Sequence, residues 1–157
     1  MEEILNDEYF MRLALSEARR AEELDEAPIG CVIVRDGEVI ASAHNMREAN
    51  KCATHHAEIM AIEEACKRLG GWRLPGTTLY VTMEPCCMCA GAIVNARVER
   101  VVYGAPDLRF GAMGSLFDVT KFPLNHIPAV TGGVMRDECV GILSGYFKKK
   151  RSKEKTK

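Results

Sequence analysis

Apolar residues recur at helical spacing near the start of the chain, where Tyr9, Phe10, Leu13, Ala14, Ala18 and Ala21 form one stripe. Asn6 or Asp7 is placed to cap that helix, which runs to about Leu24. Two β-rich runs, 30–35 and 38–43, flank Asp36-Gly37, a two-residue hairpin signal. A second helix is expected from about His56 to just before Gly70-Gly71. Residues 78–83 read as a strand stopped by Pro85, and proline suits the first turn of the helix expected to follow, ending near Ala96. Residues 99–105 form another strand, and 129–131 a short last one. A final helix from about Arg136 carries Ile142, Leu143, Tyr146 and Phe147 toward the C-terminus. Strands alternating with helices after an opening hairpin imply one α/β domain: a mixed sheet of about five strands covered on both faces, in three α/β/α layers.

Composition adds little to that picture, and charge adds more. At 157 residues the chain suits one domain, expected over 1–147, which buries about two-thirds of its unfolded surface. No apolar run approaches the roughly 20 residues needed to cross a bilayer. The N-terminus is acidic and lacks the basic start and apolar core of a secretory leader. Seven cysteines, two of them at metal spacing, suit a reducing compartment better than a disulfide framework, so a cytoplasmic location is expected. The net charge of −1 conceals a split: residues 148–157 hold seven of the 21 basic and one of the 22 acidic residues, leaving −7 on the rest. That +6 tail is expected to finish the last helix and then become disordered. Two readings stand for it, a solubilising terminus and an attachment point for phosphates.

The candidate chemistry lies in His56-Ala57-Glu58 and, downstream, Pro85-Cys86-Cys87-Met88-Cys89. Together they offer one imidazole, two thiolates and a carboxylate that need not bind metal. Three protein ligands leave a tetrahedral Zn²⁺ with one open position, the mark of a catalytic rather than a structural site. Cys86 and Cys89 share a helix face, whereas His56 and Glu58 diverge by about 200° if both lie mid-helix. They converge if the metal sits off the helix end, so the zinc is expected between the helix N-termini at His56 and Cys86, where the dipoles favour thiolates. Two other readings remain: a redox pair, and a structural zinc closed by Cys52, Cys66, Cys87 or His55.

H-x-E followed by P-C-x-x-C resembles the signature of the cytidine/nucleotide deaminase superfamily. Longer stretches are similar to its bacterial tRNA adenosine deaminases: Pro28-Ile29-Gly30, Asn45, His56 through Ala61, Glu84 through Ile93, Gly114-Ser115-Leu116, and Asp137-Glu138-Cys139 ahead of Tyr146-Phe147. The likeness covers roughly Tyr9 to Arg151. It implies one zinc per chain on His56, Cys86 and Cys89, with Glu58 moving a proton from the attacking water to the purine ring. It implies deamination of a wobble adenosine to inosine in a tRNA anticodon stem-loop, with release of ammonia, by a homodimer whose partner chain helps line the RNA site. It places Asn45 against the purine, with Asp107 and Arg109 beside the substrate strand. Tyr146 and Phe147 are candidates for stacking on splayed bases or for packing under the last helix, and Lys148 to Arg151 for gripping phosphates. His55 stands where relatives carry a small residue, and Cys87 adds a thiol beside the ligands. Rival activities are deamination of a free base or nucleotide, and a zinc-stabilised RNA-binding module without activity. An unliganded carboxylate at Glu58 distinguishes the enzyme from the module.

Overall fold

The computed structural model describes residues 2–155. Five strands, β1 (Gly30–Arg35), β2 (Glu38–His44), β3 (Thr77–Met83), β4 (Arg100–Ala105) and β5 (Ala129–Gly132), form one sheet in the order β2-β1-β3-β4-β5. β1 runs antiparallel to both β2 and β3, while β3, β4 and β5 are mutually parallel. Four helices surround it: α1 (Glu2–Glu23), α2 (Ala57–Leu69), α3 (Cys87–Ala96) and α4 (Arg136–Lys155).

Strand alternation decides which helices go where. Ile33, Leu79, Val81 and Val101 point to one face, where they meet Ala61 and Ala65 of α2 and Ala90 and Ile93 of α3. Their neighbours Val32, Tyr80 and Val102 point to the other face, against Phe10, Met11 and Ala14 of α1 and Cys139 and Leu143 of α4. Three layers with two cores follow, as the hydrophobic pattern implies. The β1–β2 hairpin turns through Asp36 and Gly37, both at positive φ (50° and 75°), the geometry that matches the twist of paired strands. Gly30 lets α1 lie directly on β1, since a β-carbon there would overlap the carbonyl oxygen of Ala14.

Three local expectations are corrected. α1 begins at Glu2, so neither Asn6 nor Asp7 caps it. Asp7 is buried inside the helix instead, taking two hydrogen bonds from the Arg100 guanidinium (2.8 and 2.7 Å) and one from the Tyr80 hydroxyl (2.8 Å). Pro85 lies before α3 rather than in its first turn, because Cys86 takes the extended N-cap position. α4 continues through Lys155, so the helical part of the basic tail, expected to give way to disorder, extends at least that far. That stretch contains no glycine or proline, and its Lys, Arg and Glu residues are good helix formers. Residues 156 and 157 of the basic tail lie outside those described.

Candidate active site

Both helices on one face of the sheet start at the site. His56 is the N-cap of α2 (φ −71°, ψ 156°) and Cys86 the N-cap of α3 (φ −74°, ψ 176°). Neither side chain caps its own helix, which leaves imidazole and thiol free to face each other. Cys89 follows in the first turn of α3 and is fully buried. His56 Nδ1 lies 3.7 Å from Cys86 Sγ and 3.5 Å from Cys89 Sγ. The ligand atoms of the three residues lie within 4.8 Å of one another, the one such cluster among the described residues. Zn–S bonds of about 2.3 Å and Zn–N bonds of about 2.0 Å at tetrahedral angles separate N and S by about 3.5 Å, so the donors fit one zinc ion. His55 is outside the cluster, its Nδ1 2.9 Å from the Asn50 amide, and Cys87 is exposed. A fourth protein ligand is therefore lacking among the described residues.

The electrostatics are those of a site prepared for a cation. A hydrogen bond from Cys89, with help from His56, holds the Cys86 thiol down at about 4. Cys89 is driven strongly upward by that same bond and by burial, so one of the two sulfurs carries the proton until metal replaces it. His56 is raised, mainly by its hydrogen bond with Cys86. Glu58, in the first turn of α2, is 3 % exposed. Burial pushes its carboxyl up to about 7, and its Oε1 is a buried polar atom with no hydrogen-bond partner. An unpartnered carboxylate oxygen normally costs about 1–3 kcal/mol, so its place beside the ligands marks it as reserved for something that enters.

What can enter is set by a cavity of 520 Å³, with His56, Glu58 and Cys86 in its lining. Asn45, Asp107, Arg109 and Phe147 line it too, so four of the five expected substrate-binding residues are brought together with the chemistry. Asn45 is partly committed: its amide donates to Ala27 O (3.4 Å), and its Oδ1 accepts the Arg47 N–H (3.1 Å). Asp107 Oδ1 accepts the N–H groups of Arg109 (3.0 Å) and Phe110 (3.1 Å), shaping its own turn. Tyr146 is the exception. It is buried under α4, its hydroxyl donating to Asp25 O at 3.0 Å, while Phe147 stays exposed on the cavity. Arg47 and Phe110 also line the cavity, and nothing in the sequence pattern singles them out. A lone loop cation and a lone loop aromatic carry no local signal of where the loop folds.

Comparison with known proteins agrees with this geometry. The family of the cytidine and deoxycytidylate deaminase zinc-binding region matches residues 5–105. The tRNA-specific adenosine deaminase of Bacillus subtilis is 51% identical over 150 residues, covering 95% of this chain and 93% of that protein. That of Haemophilus influenzae is 44% identical over 151 residues, covering 95% and 87%. A solved tRNA:A34 deaminase, studied for A-to-I editing at the wobble position of transfer RNA, superposes with a TM-score of 0.81 at 48% identity, covering 86% of this chain and 99% of its own. A guanine deaminase from Nitrosomonas europaea superposes at 0.79 with 25% identity, covering 88% and 83%. This chain is thus a member of the cytidine and deoxycytidylate deaminase family, within its tRNA-specific adenosine deaminase group.

Proposed function

We propose that the chain is a zinc-dependent deaminase that converts adenosine at the wobble position of a tRNA anticodon loop to inosine, taking up water and releasing ammonia. The observation that carries the reading is Glu58: a buried acid with a free oxygen, beside three metal ligands and open to a cavity. A binding module has no use for it.

His56, Cys86 and Cys89 would hold the zinc ion, which when bound would lower the pKa of a water to about 7 and so provide a nucleophile at neutral pH. The protein supplies the rest. Glu58 Oε1 takes the proton that the water gives up as it attacks C6 and passes it to N1 of the purine. It then takes the remaining proton from the hydroxyl added at C6 and hands it to the amine, so that the C6–N bond breaks, the C6 carbonyl forms, ammonia leaves and the carboxylate is regenerated. A group that must act as base and then as acid works best with a pKa near the working pH, which burial provides. The unspent N–H of the Asn45 amide orients the base. Arg109 and Phe147 on the cavity suit a phosphate and a splayed base, as single-stranded RNA requires.

A free-base substrate is the competing reading within the family, and the likeness to guanine deaminase motivates it. It leaves the basic end of α4 without a use. Pairing with a second copy is favoured by exposed apolar side chains gathered in one loop segment, Leu108, Phe110, Leu116, Phe122 and Ile127. All seven cysteines are free, which suits the reducing cytoplasm, and no helix of the described chain is long and apolar enough to cross a membrane.

The test is incubation with an anticodon stem-loop bearing adenosine at the wobble position. Inosine should form with the wild-type chain, while Glu58→Ala retains zinc and fold but loses at least about 10³-fold in kcat. Undiminished turnover by the variant removes the shuttle; turnover of free guanine but not of the stem-loop selects the competing substrate.

A further inference from the structure

Two buried glutamates outside the zinc cluster hold the two loops that bring Arg47, Asp107, Arg109 and Phe110 to the cavity. We infer that Glu84 and Glu26 are positioning residues for substrate recognition, each a carboxylate clamp that sets one wall of the cavity.

Glu84 ends the strand side of the site and is 3 % exposed. Its Oε1 accepts the Asp107 N–H (3.2 Å) and the Ser115 hydroxyl; its Oε2 accepts the N–H groups of Met113 (3.0 Å) and Ser115 (3.1 Å). Four donors from one loop converge on a single side chain, and the loop closes so tightly that a β-carbon at Gly111 would overlap Glu84 Oε2. Between those anchor points lie Asp107, Arg109 and Phe110, which line the cavity. Glu26 is completely buried beyond the end of α1. It accepts the Glu48 N–H on both oxygens (2.8 and 3.1 Å) and the Ala49 N–H (3.3 Å). The loop it holds contributes Arg47 and Ala53 to the cavity and leads into His56.

Burial of an ion is tolerated when its oxygens receive several N–H and O–H groups, and such a cluster fixes the donors in return. Glu26 acts on backbone N–H groups alone and Glu84 on three backbone N–H groups plus the Ser115 hydroxyl, so the clamps define where the walls stand largely independently of the side chains that line the cavity. Neither carboxylate is in the zinc cluster, and both differ from Glu58 in having every oxygen occupied. The chemistry needs a free carboxylate; the walls need satisfied ones.

An amide is a poor replacement for reasons the donor pattern makes specific. Glu84→Gln must turn an NH2 toward one of the two donor pairs. Facing the Oε1 pair, the Ser115 hydroxyl can rotate to accept it, and the hydrogen bond given up is that from Asp107, at the cavity end of the loop. Ser115→Ala removes one donor and leaves the carboxylate in place, a milder version of the same change. Glu26→Gln acts on the other wall.

The inference builds on the proposed tRNA reading for its kinetic arm only. With zinc-loaded protein, amide hydrogen exchange should quicken by about tenfold or more in 107–115 for Glu84→Gln, less for Ser115→Ala, and in 46–54 for Glu26→Gln, each change confined to its loop. On the stem-loop, KM should rise about three- to tenfold with kcat within about twofold and zinc content unchanged. Unchanged exchange, or a fall in kcat together with loss of zinc, overturns the inference. A wild-type chain that makes no inosine while the confined exchange changes persist defeats the tRNA reading and leaves the clamps standing. Where Glu84→Gln fails to fold, Ser115→Ala and Glu26→Gln decide.

Discussion

Glu58 and Cys86 are neighbours with opposite titration behaviour, and stability against pH separates them. The folded-state pKa of Glu58 is raised by burial, from 4.5 to about 7. Folding therefore binds a proton in that window, and stability is lost as pH climbs through it. Cys86 is depressed to about 4, so its contribution grows with pH over the range where the unfolded thiol keeps its proton. The two partly offset each other in the wild type, and Glu58→Gln removes the first. Zinc-free wild-type protein should thus lose ground to zinc-free Glu58→Gln between pH 5 and pH 8, by about 3 kcal/mol for a shift of that size. Parallel denaturant midpoints across that range would show that the carboxyl is not held neutral. The His56, Cys86 and Cys89 cluster and the buried Glu58 beside it were legible in the sequence because a metal-assisted reaction demands particular residue types at particular spacings. The commitments of Asn45 and Asp107 to nearby backbone were not, since they depend on where loops fold back. Tyr146 and Phe147 were indistinguishable as letters; only the facing of α4 separates them.

At the scale of elements, two helices open on the site and two close the far side of the sheet. Hydrophobic period and turn chemistry placed all nine within a few residues, and the departures have a tertiary cause. Asp7 reads as a cap because short acids favour that position, but an arginine 93 residues away claims it. Packing of α1 on β1 depends on Gly30, where no side chain fits between the strand and the helix backbone. Gly30→Ala should therefore force the layers apart and cost about 1–3 kcal/mol, read as a lower melting temperature with secondary structure retained. An exposed comparison at Gly91 in α3, which has open space around it, should be neutral or stabilising. Equal stability of wild type and Gly30→Ala would mean that the layers do not touch there.

On the whole-molecule scale, the acidic body and basic helical end make the chain an electric dipole as well as a fold. The charge split was plain in the sequence, whereas the order of the segment was not, because α4 carries its lysines onward in register with Phe147. Deleting 148–157 should raise KM for an anticodon stem-loop and flatten its dependence on salt. Each phosphate that no longer meets a cation lowers the log–log slope by roughly 0.7 for single-stranded RNA. A truncated chain with the full salt slope would assign RNA attraction to the body, with Arg47 and Arg109 as its sources. The last helix is also pegged: the Tyr146 hydroxyl reaches Asp25 beyond the end of α1, and Lys150 reaches back to the same phenol at 3.2 Å. That peg fixes the rotational setting of the helix about its own axis, and successive residues on a helix point about 100° apart. A ring buried outside the cavity thereby aims the ring next to it, and loosening the peg would blur the bearing of Phe147 while leaving every cavity-lining atom in the covalent chain untouched.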